Sequence, residues 1–124
     1  MNKDFLNGIT ISNILEVGAS CGNQLSLLQK QGNTHLYGIE IQNHALEMAK
    51  KQTEGINIIY GSGFDIPFKD HYFDLVFTSG VLIHIHPNDF KKILKEIYRV
   101  SKLYIWGFEY YNDNYQEIEY RGNK

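Results

Sequence analysis

The stretch Asn13-Ile14-Leu15-Glu16-Val17-Gly18-Ala19-Ser20-Cys21-Gly22-Asn23 puts one acid inside an apolar run and two glycines just behind it. A carboxylate among apolar residues is costly without donors, so Glu16 calls for loop N–H groups or a ligand amine. Gly18 and Gly22 let the backbone turn sharply and approach a bound group with no Cβ in the way. A helix starting behind them turns its free N–H groups into the same crevice. Glu40, followed by Ile41, ends a second apolar run, where a carboxylate can accept hydrogen bonds from ribose hydroxyls. At a strand end on a rim, its loss should weaken binding with little effect on folding. Ser62, Gly63 and Phe64 lie in a turn-rich stretch and could edge a purine ring. Thr78 and Ser79 open the segment that runs to His86. His84 could transfer a proton or orient an acceptor. Glu109 is the other titratable group at a strand end, and Tyr110 could flank an acceptor. His84 and His86 have neither a nearby cysteine nor an obvious third ligand, so no metal site is expected.

These groups must be positioned by alternating strands and helices. Strands are expected at Asn13–Val17, Leu36–Glu40, Ile56–Tyr60, Phe73–Thr78 and Lys102–Glu109. Helices are expected at about Gly22–Gln31, His44–Gln52 and Asp89–Val100. The second buries Ala45, Met48 and Ala49. The third carries Phe90, Ile93, Leu94 and Ile97 at i, i+3, i+4, i+7 spacing. Lys91, Lys92, Lys95 and Arg99 fall off that stripe and read as a solvated face. Strands joined by helical crossovers imply a parallel sheet. The loops at the carboxyl ends of its strands then share one rim, which gathers every candidate above.

At 124 residues the chain is one domain with room for a core. Hydrophobic residues make up 43% and charged residues 21%, as in an ordinary globular protein. A net charge of −2 gives no basic excess to favour nucleic acid. No apolar run approaches the roughly 20 residues of a membrane span, and the first residues lack the apolar core of a signal peptide. The expected setting is therefore cytoplasmic. One cysteine, Cys21, excludes a disulfide scaffold.

Three chemistries compete for the Gly18–Gly22 loop. Dinucleotide oxidoreduction asks for G-x-G-x-x-G, which the loop does not match. It does spell G-x-S-x-G, a nucleophile elbow between strand and helix. That elbow would follow the first strand, with too little sheet before it, and would leave Glu40 and Gly61–Phe64 without a role. Binding of S-adenosylmethionine gives every rim segment a task. Glu16–Gly22 resembles the E/D-x-G-x-G-x-G motif of class I S-adenosylmethionine-dependent methyltransferases, with Ser20 in place of the middle glycine. Glu40 is similar to that family's ribose-binding acid, and Gly61-Ser62-Gly63-Phe64 to its adenine segment, with Ser62 where Asp is common. Phe73–His84 resembles its fourth strand and following loop. A narrower likeness, to the pseudaminic acid biosynthesis-associated methylases, rests on Ile14–Gly22, Gly80–Ile85, Glu109-Tyr110-Tyr111-Asn112 and Tyr120-Arg121-Gly122.

The resemblance implies a Rossmann-like α/β fold: an open, mostly parallel sheet of about five strands in the order 3-2-1-4-5, with helices on both faces. The family's usual last two strands are lacking, so residues 1–124 are expected to form a single S-adenosylmethionine-binding domain cut short at its C-terminus. It further implies methyl transfer to a small molecule, a sugar or nonulosonic acid intermediate, with His84, Glu109 and Tyr110 as catalytic candidates. Glu16, Gly18, Ala19, Ser20, Gly22, Asn23, Glu40, Ile41, Ser62, Gly63, Phe64, Thr78 and Ser79 would hold the cofactor. The alternative is a truncated domain that binds the cofactor or a protein partner without turnover. Strand five would have an open, aromatic-rich edge. The tail from Tyr110 to Lys124 could fold back as one covering strand, since Glu117-Ile118-Glu119-Tyr120 alternates polar and apolar, but that segment is short and carries two acids, which makes full cover doubtful. A homodimer through the strand-five edge is the expectation.

Overall fold

The computed structural model describes residues 11–79, 86–111 and 114–121, with side chains through residue 107. The elements alternate as β1 (Asn13–Val17), α1 (Asn23–Lys30), β2 (His35–Glu40), α2 (Asn43–Gln52), β3 (Asn57–Tyr60), β4 (Phe73–Ser79), α3 (Pro87–Val100), β5 (Ser101–Tyr111) and β6 (Asn114–Arg121). The sheet order is β3-β2-β1-β4-β5-β6. The first five strands are parallel in the expected 3-2-1-4-5 order, and β6 is antiparallel to β5.

β1 lies at the centre because both of its faces are apolar. Ile14 faces a core shared with Leu25 and Leu28 of α1 and Leu46 and Ala49 of α2. Leu15 and Val17 face the opposite core, shared with Ile93, Ile97 and Val100 of α3. Strands buried on both faces are what a helix-covered parallel sheet requires. On α2 it is Leu46, not Met48, that joins Ala45 and Ala49 in the buried set. At the head of α3, His86 Nδ1 accepts from the Asn88 N–H at 3.1 Å and Pro87 occupies the first turn, so His86 is a helix cap.

Two expectations are overturned. Arg99 does not belong to a solvated face. Lys91, Lys92 and Lys95 are exposed, but the Arg99 guanidinium turns onto the β3–β4 connection and bonds groups at Ile66, Phe68 and Asp70. The outer edge of β5 is also not open. β6 pairs with it from Tyr104↔Arg121 to Tyr111↔Asn114, along the whole length of β6. The pairing is made by backbone groups, and acids such as Glu117 and Glu119 suit an edge strand. The β5 edge expected to pair with a second copy is therefore already paired with β6.

The β3–β4 connection, residues 61–72, has no helix and is pinned by rings instead. Phe68 stacks on Tyr72 with centroids 6.0 Å apart and an interplanar angle of 14°. Tyr37 of β2 and Phe73 of β4 meet both rings edge-on.

Candidate functional site

The loop after β1 takes its shape from three left-handed residues, Gly18 (φ 78°), Ser20 (φ 53°) and Gly22 (φ 85°). Glycine adopts this region freely, whereas Ser20 pays a steric cost of about 1 kcal/mol. The loop is fastened to β2 at two points. The Gly18 and Ala19 N–H groups both donate to the Ile39 carbonyl at 2.9 Å. The Ser20 N–H donates to Glu40 Oε1 at 2.7 Å. Gly38 permits this closeness, since a Cβ there would lie 2.7 Å from the Ala19 Cβ.

Glu40 is 7% exposed and well supplied with donors. Besides Ser20, the Ile41 and Gln42 N–H groups donate to its Oε2 at 3.1 and 2.9 Å. A carboxylate offers about four acceptor positions. The described residues use three, and the fourth lies on Oε1. Glu40 thus ties the glycine loop to the end of β2, so its loss would cost folding as well as binding. That differs from the purely ligand-directed role expected of a strand terminus.

Glu16 is the opposite case. It is 2% exposed, opposite Gly38 on β2 and Phe77 on β4. Its Oε1 has no hydrogen-bond partner among the described residues. Burial pushes its carboxyl well above the ordinary value, and the neighbouring Glu40 charge adds to the shift.

The third wall of the site is the turn after β3. The Gly61 N–H donates to the Glu40 carbonyl at 3.2 Å and the Asp65 N–H to the Ser62 carbonyl at 3.1 Å. Ser62 Oγ accepts from the Phe64 N–H at 3.0 Å. Gly63 rests directly on α3, where a Cβ would come within 2.7 Å of Ile93 Cδ1 and 3.2 Å of Val17 Cγ1.

Between these walls lies a solvent-open cleft with a cavity volume of about 100 Å³. Of the residues expected to bind a cofactor, Gly18, Glu40, Ile41, Ser62, Gly63 and Phe64 line it. Ile41 and Phe64 hold apolar surface open to solvent at 56% and 43% exposure, which suits a flat apolar group. Ala19, Ser20, Gly22 and Asn23 shape the loop and the start of α1 without lining the cleft. Thr78 and Ser79 end β4, next to β1 and β5. Sequence reasoning missed Val17, Ile39 and Ile93 as lining residues, while Gly61 belongs to the segment already compared with the family's adenine segment. Ile93 lies on the apolar stripe of α3, and the same helix face that fills the core reaches the cleft. His84 lies outside the described residues, as do the side chains of Glu109 and Tyr110. Among the described residues no cluster of three or more His, Cys, Asp or Glu could hold a metal ion, and no helix is long and apolar enough to cross a membrane.

Residues 15–103 match a family model described as a methyltransferase domain. The chain is 29% identical over 103 residues to an O-methyltransferase of Aspergillus nomiae, covering 78% of this chain and 45% of that protein. It is 29% identical over 117 residues to an uncharacterized methyltransferase of Staphylococcus carnosus, covering 90% and 55% respectively. A solved structure of a SAM-dependent methyltransferase from Methanosarcina mazei superposes with a TM-score of 0.76 at 22% identity, covering 89% of this chain and 58% of that one, and supports the fold. The chain thus spans about half the length of the curated relatives it matches.

Proposed function

Because the chain belongs to the class I S-adenosylmethionine-dependent methyltransferase family, we propose that it binds S-adenosylmethionine and transfers its methyl group to a small-molecule acceptor. The observation that carries this reading is Glu16. A buried carboxylate with an oxygen lacking any partner among the described residues, beside a second carboxylate, is a position that a cation completes. The residues fit the family's cofactor, whose methionine end is cationic. Glu16 would take its ammonium group. The free acceptor position on Glu40 Oε1 would take a ribose hydroxyl. Ile41 and Phe64 would flank the adenine, and Ser62 and Gly63 would set its edge. Gly18 gives the backbone room beside the methionine portion, while Ala19, Ser20, Gly22 and Asn23 hold the loop that covers it. Thr78 and Ser79 would close the β4 side.

When bound, the cofactor supplies a methyl group already activated by the sulfonium charge. The work left to the protein is alignment of the acceptor with that methyl group. A base is needed only where the acceptor is a hydroxyl or a protonated amine. His84 and Glu109 are our candidates for that task, with Tyr110 flanking the acceptor. For the acceptor we propose a sugar or nonulosonic acid intermediate, from the likeness of Gly80–Ile85, Glu109–Asn112 and Tyr120–Gly122 to the pseudaminic acid biosynthesis-associated methylases.

Calorimetry with S-adenosylmethionine, S-adenosylhomocysteine and NAD tests the cofactor. Binding of the first two and not the third is expected, and binding of NAD alone would overturn the reading. Methyl transfer from labelled cofactor to a panel of sugar nucleotides then tests the acceptor class. Turnover on another small-molecule class alone would refute the sugar assignment.

A further inference from the structure

The Arg99 guanidinium has five N–H donors in a fixed fork, and all five are placed. Nε and one Nη2 hydrogen grip the two oxygens of Glu96, at 2.9 and 3.0 Å. The second Nη2 hydrogen goes to the Ile66 carbonyl at 2.7 Å. Nη1 donates to the Phe68 carbonyl at 2.8 Å and to Asp70 Oδ1 at 2.9 Å. Glu96 Oε1 also accepts from the Ile66 N–H at 2.8 Å. Both backbone groups of Ile66 are thereby fixed from α3. Glu96 is held below the usual carboxylate value, first by the Arg99 hydrogen bond.

Ile66 directly follows the turn that walls the cleft. Ile93, Glu96 and Arg99 stand three residues apart, so they fall along one side of α3. Ile93 supports the turn from below at Gly63, and Glu96 holds its exit at Ile66. The front of the turn is tied to the Glu40 carbonyl. Arg99 fixes the exit twice, directly at the Ile66 carbonyl and through the orientation it imposes on Glu96.

We propose that Arg99 is a positioning residue for the adenine side of the cleft, acting through Glu96 and Ile66 on the Gly61–Phe64 turn. This rests on the assignment of that turn to the adenine of S-adenosylmethionine. Lysine cannot replace the fork, because a single ammonium cannot hold two carboxylate oxygens and two carbonyls in one plane.

The test is the calorimetric affinity of wild type and Arg99→Lys for S-adenosylhomocysteine and for its deaminated analogue, in which hypoxanthine replaces adenine. Wild type should prefer the adenine form. Arg99→Lys should weaken S-adenosylhomocysteine binding about tenfold and bring the two ligands close to equal. A variant that melts earlier but keeps both affinity and base preference would overturn the proposal, leaving Arg99 a structural residue only. A wild type that binds both bases equally would overturn it too, since no base-reading turn would exist to be positioned. A wild type that binds neither ligand refutes the cofactor assignment itself. Glu96→Gln keeps an acceptor for the Ile66 N–H but loses the two-oxygen grip, and it carries the same test if Arg99→Lys does not fold. Failure of both to fold would count against positioning and for a structural hub.

Discussion

Glu16 in β1 and Arg99 on α3 are two charged side chains that the chain treats in opposite ways. Arg99 has every donor matched, by two acids and two carbonyls. Glu16 is more deeply buried, yet one of its oxygens has no partner among the described residues, and the charge of a second acid, Glu40, acts on it. A half-satisfied buried charge costs stability, whereas a satisfied network makes the structure rigid. On our proposal, the difference separates a charge that folding completes from one that a ligand would complete.

The contrast breaks most visibly at Arg99. Arg99→Ala leaves Glu96 and two carbonyls without their donor and should cost about 3 kcal/mol in urea or thermal melts. The pH dependence has a definite sign. The folded Glu96 carboxyl titrates below its unfolded value, so its contribution is present above the ordinary carboxylate range and fades as pH falls through the lowered value. The cost of Arg99→Ala should therefore be largest near neutrality and shrink in acid. A penalty independent of pH would mean that packing of the side chain, not the ion pair, carries the effect.

Gly63→Ala sharpens the comparison at the point where the turn meets α3. The added Cβ would lie 2.7 Å from Ile93 Cδ1, and the expected cost is about 1–2 kcal/mol. Ile93→Val in the same chain should recover part of it. Absence of coupling in the double-mutant cycle would mean that the turn moves off the helix freely. The smallest effect belongs to Ser20→Gly. Relief of the left-handed serine, offset by glycine's greater entropy in the unfolded chain, should leave stability unchanged or raised by up to about 1 kcal/mol, with cofactor affinity retained. Loss of affinity on that change would give the Ser20 side chain a chemical role and revive the nucleophile-elbow reading.

Much of the frame was legible in the sequence because it is local. β1 begins and ends where its apolar run and Gly18 put it, and the helices follow the spacing of Leu25, Leu28, Ile93 and Ile97. What escaped depends on distant partners. Arg99 sits off the apolar stripe of its helix, and periodicity cannot report that its acceptors lie some thirty residues earlier. The alternation of Glu117–Tyr120 marks β6 as a strand, but its pairing runs through backbone groups, so the side-chain pattern does not report that it covers the whole β5 edge. Glu40 is legible as a cleft acid, and two of its N–H donors, at Ile41 and Gln42, are local, but the third comes from Ser20 on a loop folded back onto it. Ile93 was recognised as core, but the cleft begins where that core ends. Glu16 was legible as a charge in need of a partner, and only the folded chain reveals how little of that need the described residues meet.

The central claim is that Glu16 is left incomplete for a cationic ligand, and Glu16→Gln tests it most directly. Thermal melting of the ligand-free protein is measured together with calorimetric titration of S-adenosylhomocysteine. The raised Glu16 value means that its ionised form costs stability increasingly as pH rises from the unfolded carboxylate value through the folded one. Glu16→Gln should therefore melt higher at neutral pH, with the gain vanishing in acid, while binding S-adenosylhomocysteine roughly 10- to 100-fold more weakly. A variant that melts lower at neutral pH and binds with unchanged affinity would contradict the account.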